Sequence, residues 1–274
     1  MNKCKIIAIA NQKGGVGKTT TTVNLGIGLA ALGKRVLLVD GDPQGSLTIA
    51  LGVPNPDALT ETLSSAMLAE ISDQDIPVDY GILHHSEGVD LLPANIELSG
   101  VELPLYTAIS RETVMRNILY RLRPQYDYIL IDCMPSLGLM TINALAAADA
   151  VIIPSQPNYL STKGLNLLLR SISKVKKQIN PKLTIAGILF TIVDNRTNNA
   201  RSIISAMRTT VGDQIRVFGT EIPRSIRTVE AAESGQSIFT YDPHGKAAKA
   251  YAELTKEVSK IDKTKDRSRF DSVR

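Results

Sequence analysis

The stretch Lys13-Gly14-Gly15-Val16-Gly17-Lys18-Thr19-Thr20 restricts this chain more than any other feature, because an apolar run of strand length at 5–10 leads into it and a helix-period run at 19–32 follows. Its glycines let successive backbone N–H groups turn toward one anion, the following helix adds the positive end of its dipole, and Lys18 adds a full charge. Thr19 is then placed to offer its hydroxyl to Mg²⁺. The stretch therefore reads as a phosphate-binding loop. A dinucleotide fingerprint does not fit. Gly15 and Gly17 supply two glycines of G-x-G-x-x-G, but Thr20 stands in the third place.

Strand-length apolar runs at 5–10, 35–40, 89–92, 127–132, 150–154, 183–192 and 215–218 alternate with helix-period segments at 19–32, 137–148, 159–179, 198–211 and 243–261. Alternation of this kind predicts an α/β fold, a mostly parallel central β-sheet with helices on both faces. Val36-Leu37-Leu38-Val39 and Tyr128-Ile129-Leu130-Ile131 do not alternate with polar residues, so both their faces are expected to be buried. Each run ends in an aspartate. Ligands collect at the carboxyl ends of parallel strands, so Asp40, Asp42 and Asp132 are expected on the side of Lys18. Mg²⁺ at a nucleotide asks for a hydroxyl and one or two carboxylates rather than a protein cage, and Thr19, Asp42 and Asp132 meet that demand. Asp40 is read as a supporting group.

The 274 residues are 43% hydrophobic with mean hydropathy +0.02, enough for one large core, and no long linker divides them. The expectation is a single domain over 1–262 and a flexible charged tail over 263–274. Residues 55–79, more polar and rich in proline, are expected to tolerate insertion. No apolar run approaches the roughly 20 residues of a membrane span, so a cytoplasmic protein with no membrane partner is expected. Cys4 and Cys133 fall at different ends of their strands and do not suggest a disulfide, and His84, His85 and His244 have no metal-ligand spacing. The net charge of +4 favours an acidic partner weakly. Arg196, Arg201, Arg208, Arg216, Arg224 and Arg227 cluster late in the chain without lysines among them. On composition alone this is as much a solvated basic face as a surface for nucleic-acid phosphates.

The loop departs from G-x-x-x-x-G-K-[ST], with Gln12 at the first glycine and Lys13 beside it. Lys-Gly-Gly-x-Gly-Lys-Thr-Thr resembles the deviant Walker A loop of the ParA/MinD group of P-loop ATPases. Asp40-Gly41-Asp42-Pro43-Gln44-Gly45 is similar to that family's D-x-D-P-Q-G, and Asp132-Cys133-Met134-Pro135-Ser136-Leu137-Gly138 to its D-C-P-P-S-L-G, with Met134 replacing a proline. Asp194-Asn195-Arg196-Thr197-Asn198 and Ile222-Pro223-Arg224-Ser225-Ile226-Arg227 are similar to the D-x-R-T-N and I-P-R-N-V-R of chromosome-partitioning ParA proteins, with Ser225 in place of asparagine. The likeness runs from about 3 to 261.

The resemblance implies a P-loop NTPase that binds ATP and Mg²⁺ and hydrolyses ATP slowly. Gly14, Gly15, Val16, Gly17, Lys18, Thr19 and Thr20 would hold the phosphates, and Pro223 and Ser225 would lie along the adenine. Thr19, Asp42 and Asp132 would serve the metal, Asp132 through a water, and Asp42 would also help to organise the attacking water. Lys13 would reach the partner's phosphates in an ATP-dependent homodimer, making Lys13, Lys18 and Asp42 the catalytic set. Arg196 and Arg227 would bind double-stranded DNA without sequence preference, which implies a nucleoid-associated protein. A ParB-type centromere-binding partner would stimulate hydrolysis and release. A MinD-like membrane-associated positioning ATPase is the alternative, and it would need an amphipathic C-terminal helix.

Overall fold

The computed structural model describes residues 4–158, 161–194, 198–212 and 215–271. In chain order the elements are β1 (Lys5–Ile9), α1 (Lys18–Ala31), β2 (Val36–Gly41), α2 (Ser46–Ala50), α3 (Leu63–Ile71), β3 (Leu83–His84), β4 (Asp90–Leu92), α4 (Glu102–Thr107) and α5 (Val114–Leu122). There follow β5 (Tyr128–Cys133), α6 (Leu139–Ala147), β6 (Ala150–Ser155), α7 (Ser161–Gln178), β7 (Thr184–Val193), α8 (Asn198–Val211), β8 (Val217–Pro223), α9 (Arg227–Glu233), α10 (Ile238–Tyr241) and α11 (Lys246–Asp271). The strands form one sheet in the order β3-β4-β2-β5-β1-β6-β7-β8, parallel except where β3 meets β4.

The two-residue period of a strand divides the core cleanly. Ile6, Ala8, Leu37, Val39, Ile129, Ile131, Val151 and Ile153 face one layer, packed on side chains of α3, α5, α6, α7 and α8. Ile7, Ile9, Val36, Leu38, Tyr128, Leu130 and Ile152 face the other, packed on α1, α2 and α11. Every residue of β2, β5 and β6 is buried, as a sheet covered on both faces requires.

Each predicted strand is present, and the structure adds what apolar runs could not reveal. β3 is an antiparallel edge strand of two residues, too short to carry a period. β8 continues past 218 to Pro223, pairing with β7 through Glu221 opposite Phe190 and Pro223 opposite Val193, while the backbone N–H groups of Gly219 and Thr220 donate to the Glu257 carboxylate of α11 (3.2 and 2.8 Å). Within 55–79, Leu63, Ala66 and Met67 on α3 are buried in the main core, so this polar region contains a structural helix. Cys4 and Cys133 are buried and free. Among the described residues no helix is long and apolar enough to cross a membrane. Among the α11 residues whose side chains are described, Val258 is the last buried one. A single domain over 1–262 with a charged tail over 263–274, into which α11 runs on as far as Asp271, stands as our proposal for the chain's organisation.

α1 is buried around most of its circumference between β2 and α11. Two glycines allow this close approach. A Cβ on Gly26 would stand 2.5 Å from Leu38 Cδ2, and one on Gly28 would overlap the buried Thr255 hydroxyl, which donates to the Tyr251 carbonyl. Gly28→Val is therefore expected to destabilise the fold by about 1–3 kcal/mol through overpacking, read as a lower midpoint in urea unfolding. An unchanged midpoint would mean that α1 and α11 do not pack as described.

Candidate functional site

The loop after β1 runs from a strand end to a helix start, and its backbone is tied down at several points. Gly17 caps α1 with φ 77°, in the left-handed region that only glycine adopts readily. The Asn11 carboxamide accepts from Lys13 N–H (3.0 Å) and donates to the Pro154 carbonyl at the end of β6 (2.6 Å). Gln156 Nε2 donates to the Gly15 carbonyl (2.9 Å), and Thr191 Oγ1, on β7, donates to the Val16 carbonyl (2.7 Å). Carbonyls of the loop are thus held from the β6 and β7 side. No atom outside the immediate chain lies within 4 Å of where a Cβ on Gly14 or Gly15 would stand, so the crest of the loop is an open cradle. Lys18 is buried, with Nζ 3.3 Å from the Lys13 carbonyl, which folds its side chain back over that crest.

Register brings the carboxylates together. Asp40 and Asp132 are direct partners across β2 and β5, both fully buried, and Asp132 is also opposite Ile9 at the end of β1. Burial lifts the Asp132 pKa to about 8, with the charge of Asp40 adding to the rise and the Thr19 hydroxyl and Lys18 opposing it. Burial lifts Asp40 to about 6, opposed by hydrogen bonds from Thr48 and Asp42 N–H. Asp40 accepts from Thr48 N–H (2.9 Å), Thr48 Oγ1 (2.8 Å) and Asp42 N–H (3.2 Å), so it anchors α2 and the turn that presents Asp42. Asp42 is half-buried, and its Oδ1 accepts from Gln44 N–H (3.0 Å).

Thr19 Oγ1 donates to Asp132 Oδ2 at 2.6 Å, so the structure brings these two predicted metal residues into one shell. Thr22, one turn further along α1, donates to the Lys18 carbonyl (3.1 Å) beside the same carboxylate. Among the described residues no group of three or more histidine, cysteine or acidic side chains forms a ready metal cage. The donor set nevertheless fits a divalent cation shared with phosphate. It combines a hydroxyl, a buried carboxylate short of compensating charge and a nearby aspartate, where such a cation keeps most of its shell from water and phosphate.

Pro223 closes β8 opposite Val193, and Arg224 N–H donates to the Val193 carbonyl (3.0 Å). Three strand spacings, about 14 Å at ~4.8 Å each, separate β8 from β1. Pro223 and the half-buried Ser225 thus lie, like the loop, at the carboxyl ends of the strands, three strands away from it. Arg227 is exposed and begins α9. Arg196 lies outside the described residues.

Sequence reasoning missed Asn11, Gln156, Thr191 and Thr48, which contact the loop or Asp40 rather than forming a motif. Their signal was weak but real: Asn11, Gln156 and Thr191 are polar residues at or just beyond the carboxyl ends of apolar strands.

A family model described as an AAA domain matches residues 4–185. The sporulation initiation inhibitor protein Soj of Bacillus subtilis is 46% identical over 255 residues, 93% of this chain and 98% of that protein. The chromosome partitioning protein ParA of Caulobacter vibrioides is 40% identical over 268 residues, 97% of each. The fold is also that of cobyrinic acid a,c-diamide synthase from Mycobacterium smegmatis, solved with a bound ATP analog and magnesium. That structure superposes with a TM-score of 0.78 at 37% identity, over 92% of this chain and 93% of the other.

The raised pKa of Asp132 has a definite sign. A folded-state value above the unfolded one, about 3.9, gives stability that is fully present below the unfolded value and is lost as pH rises through the folded value, about 8. Protein stripped of nucleotide and divalent cations should therefore melt at a lower temperature at pH 8 than at pH 6, and Asp132→Asn should flatten that difference. A slope unchanged in Asp132→Asn would assign it to other groups.

Proposed function

The chain belongs to the ParA/Soj family of partitioning ATPases, and on that premise we propose that it is an ATP-dependent DNA-binding switch for DNA segregation. In this reading it binds ATP with Mg²⁺, pairs with a second copy and coats DNA without sequence preference. It lets go when a ParB-type partner stimulates hydrolysis. The observation that carries the reading is the tethered loop with Lys18 folded over its crest and the Thr19 hydroxyl on the buried Asp132.

Each residue then has a task. Backbone N–H groups of 14–20 and the Lys18 ammonium hold the phosphates, while Gln156 and Thr191 keep the Gly15 and Val16 carbonyls turned away from that anion and Asn11 ties the start of the loop to β6. Thr19, Asp132 and Asp42 would hold Mg²⁺, Asp132 through a water; bound there, the cation offsets charge on the phosphoryl oxygens. Asp40 orients the turn of Asp42, and Asp42 positions the water whose oxygen bonds to the γ-phosphorus as the bridging bond to ADP breaks. Phosphoryl transfer depends chiefly on position and charge, so a site without a strong base suits slow, partner-accelerated turnover. Lys13 would reach the second copy's phosphates, which makes ATP part of the interface and its hydrolysis the signal to separate. Pro223 and Ser225 would flank the adenine. Arg196 and Arg227 would meet DNA phosphates, since guanidinium pairs well with phosphate and needs no base edge. Such a protein would be cytoplasmic and would gather on the nucleoid.

Asp42→Ala is expected to retain ATP binding and stall hydrolysis. Titrated against a random-sequence duplex, it should bind tightly with ATP but not with ADP or without nucleotide, and binding should weaken steeply as salt rises. Lys18→Ala should bind DNA in none of these states. ATP-dependent dimers of Asp42→Ala that ignore DNA at every salt would sink the DNA reading and leave the ATPase reading standing.

A further inference from the structure

Arg227, the described member of the DNA pair, does not point unaccompanied into solvent. Its Nη1 donates to Glu230 Oε2 at 2.9 Å, one turn along α9, and the Tyr241 hydroxyl donates to the same carboxylate oxygen at 3.2 Å. Both ionic side chains are substantially exposed, Arg227 at 60% and Glu230 at 36%. Tyr241 belongs to α10, whose first residues are firmly held. Ser237 donates through N–H and hydroxyl to Glu87 (2.8 and 2.5 Å), and Ile238 N–H donates to Asn24 Oδ1 on α1 (2.8 Å). α10 is thereby moored to the helix that starts at Lys18.

We propose that Glu230 is a built-in competitor for DNA, its carboxylate occupying the Arg227 guanidinium as a backbone phosphate would, with Tyr241 holding it there. This rests on the reading of Arg227 as a DNA contact. A carboxylate and a phosphate present similar paired oxygens to a guanidinium, so one displaces the other rather than adding to it. Solvent exposure keeps the internal pair weak enough to be exchanged. The consequence is a threshold. Each protomer gains only the difference between phosphate and carboxylate, so a single copy holds DNA poorly. Two copies joined through nucleotide present two such sites at once and hold it by effective concentration. Glu230 thus keeps a single copy from holding DNA by itself and leaves binding to the assembled pair.

The test uses the full chain and a random-sequence duplex at fixed salt, with a non-hydrolysable ATP analogue or ADP. Glu230→Gln should tighten binding by about two- to five-fold for each Arg227 engaged, and therefore by more with the ATP analogue, where two copies act together, than with ADP. Tyr241→Phe, which removes only the hydroxyl, should move affinity the same way by less. Glu233→Gln makes the same charge change further along α9, at an exposed glutamate, and should have a smaller effect. With Arg227→Ala in the background, the advantage of Glu230→Gln over Glu233→Gln should vanish. Equal gains from Glu230→Gln and Glu233→Gln with Arg227 in place, or an advantage of Glu230→Gln over Glu233→Gln that survives Arg227→Ala, would overturn the competition. Arg227→Ala binding DNA as the parent does would instead remove Arg227 from the DNA surface, and the competition with it.

Discussion

Two fully buried carboxylates, Asp40 and Asp132, stand opposite each other where β2 and β5 end. Neighbouring negative charges out of water are costly, and much of the surrounding structure answers that cost. Thr48 and the Asp42 N–H satisfy Asp40 on one side, while Thr19 and the charge of Lys18 act on Asp132 on the other. What one lysine leaves uncompensated is what a divalent cation bound at this place would offset. The same pairing fixes geometry. Asp40 starts the turn that carries Asp42, and Asp132 receives the hydroxyl that follows the loop lysine, so two separate sequence segments share one ionic centre.

The loop itself depends on strands that contribute no motif. Asn11, Gln156 and Thr191 attach it to the ends of β6 and β7, and β7 in turn pairs with β8, whose last residue is Pro223. In the proposed reading the parallel order β1-β6-β7-β8 becomes a ruler, with phosphate groups at one end and the base at the other. Just past β8, 223–230 leads from the proposed base contact to Arg227 and Glu230. The proposed DNA contact is therefore only a few residues from the proposed base contact, and α10 joins it to α1 as well. In that reading a change in nucleotide would have two short routes, one covalent and one hydrogen-bonded, to Arg227.

Much of this was legible in the chain. The apolar runs at 36–39 and 128–131 could only be central strands, because a strand with no polar alternation has no face to give to water. Glycines followed by Lys18 and Thr19 could be satisfied only at a strand-to-helix turn, and that is where they are. Less was legible where structure is short or depends on a distant partner. β3 is two residues long, α3 hides three core side chains in a polar region, and the last residues of β8 pair with β7 and lean on Glu257, far along the chain, beyond the reach of their own apolar run.

The sequence by itself determined the layered α/β architecture, the phosphate loop and the list of acidic and basic residues able to act there, because periodicity and local turn chemistry are properties of neighbouring residues. Tertiary structure decided which of them meet. Strand register set Asp40 against Asp132, helix α1 brought the Thr19 hydroxyl to that carboxylate, and the packing of α10 beside α9 placed Tyr241 on Glu230. These encounters join residues as far as 113 positions apart, and only the folding of the whole sheet supplies the free energy that holds such distant groups within hydrogen-bonding distance.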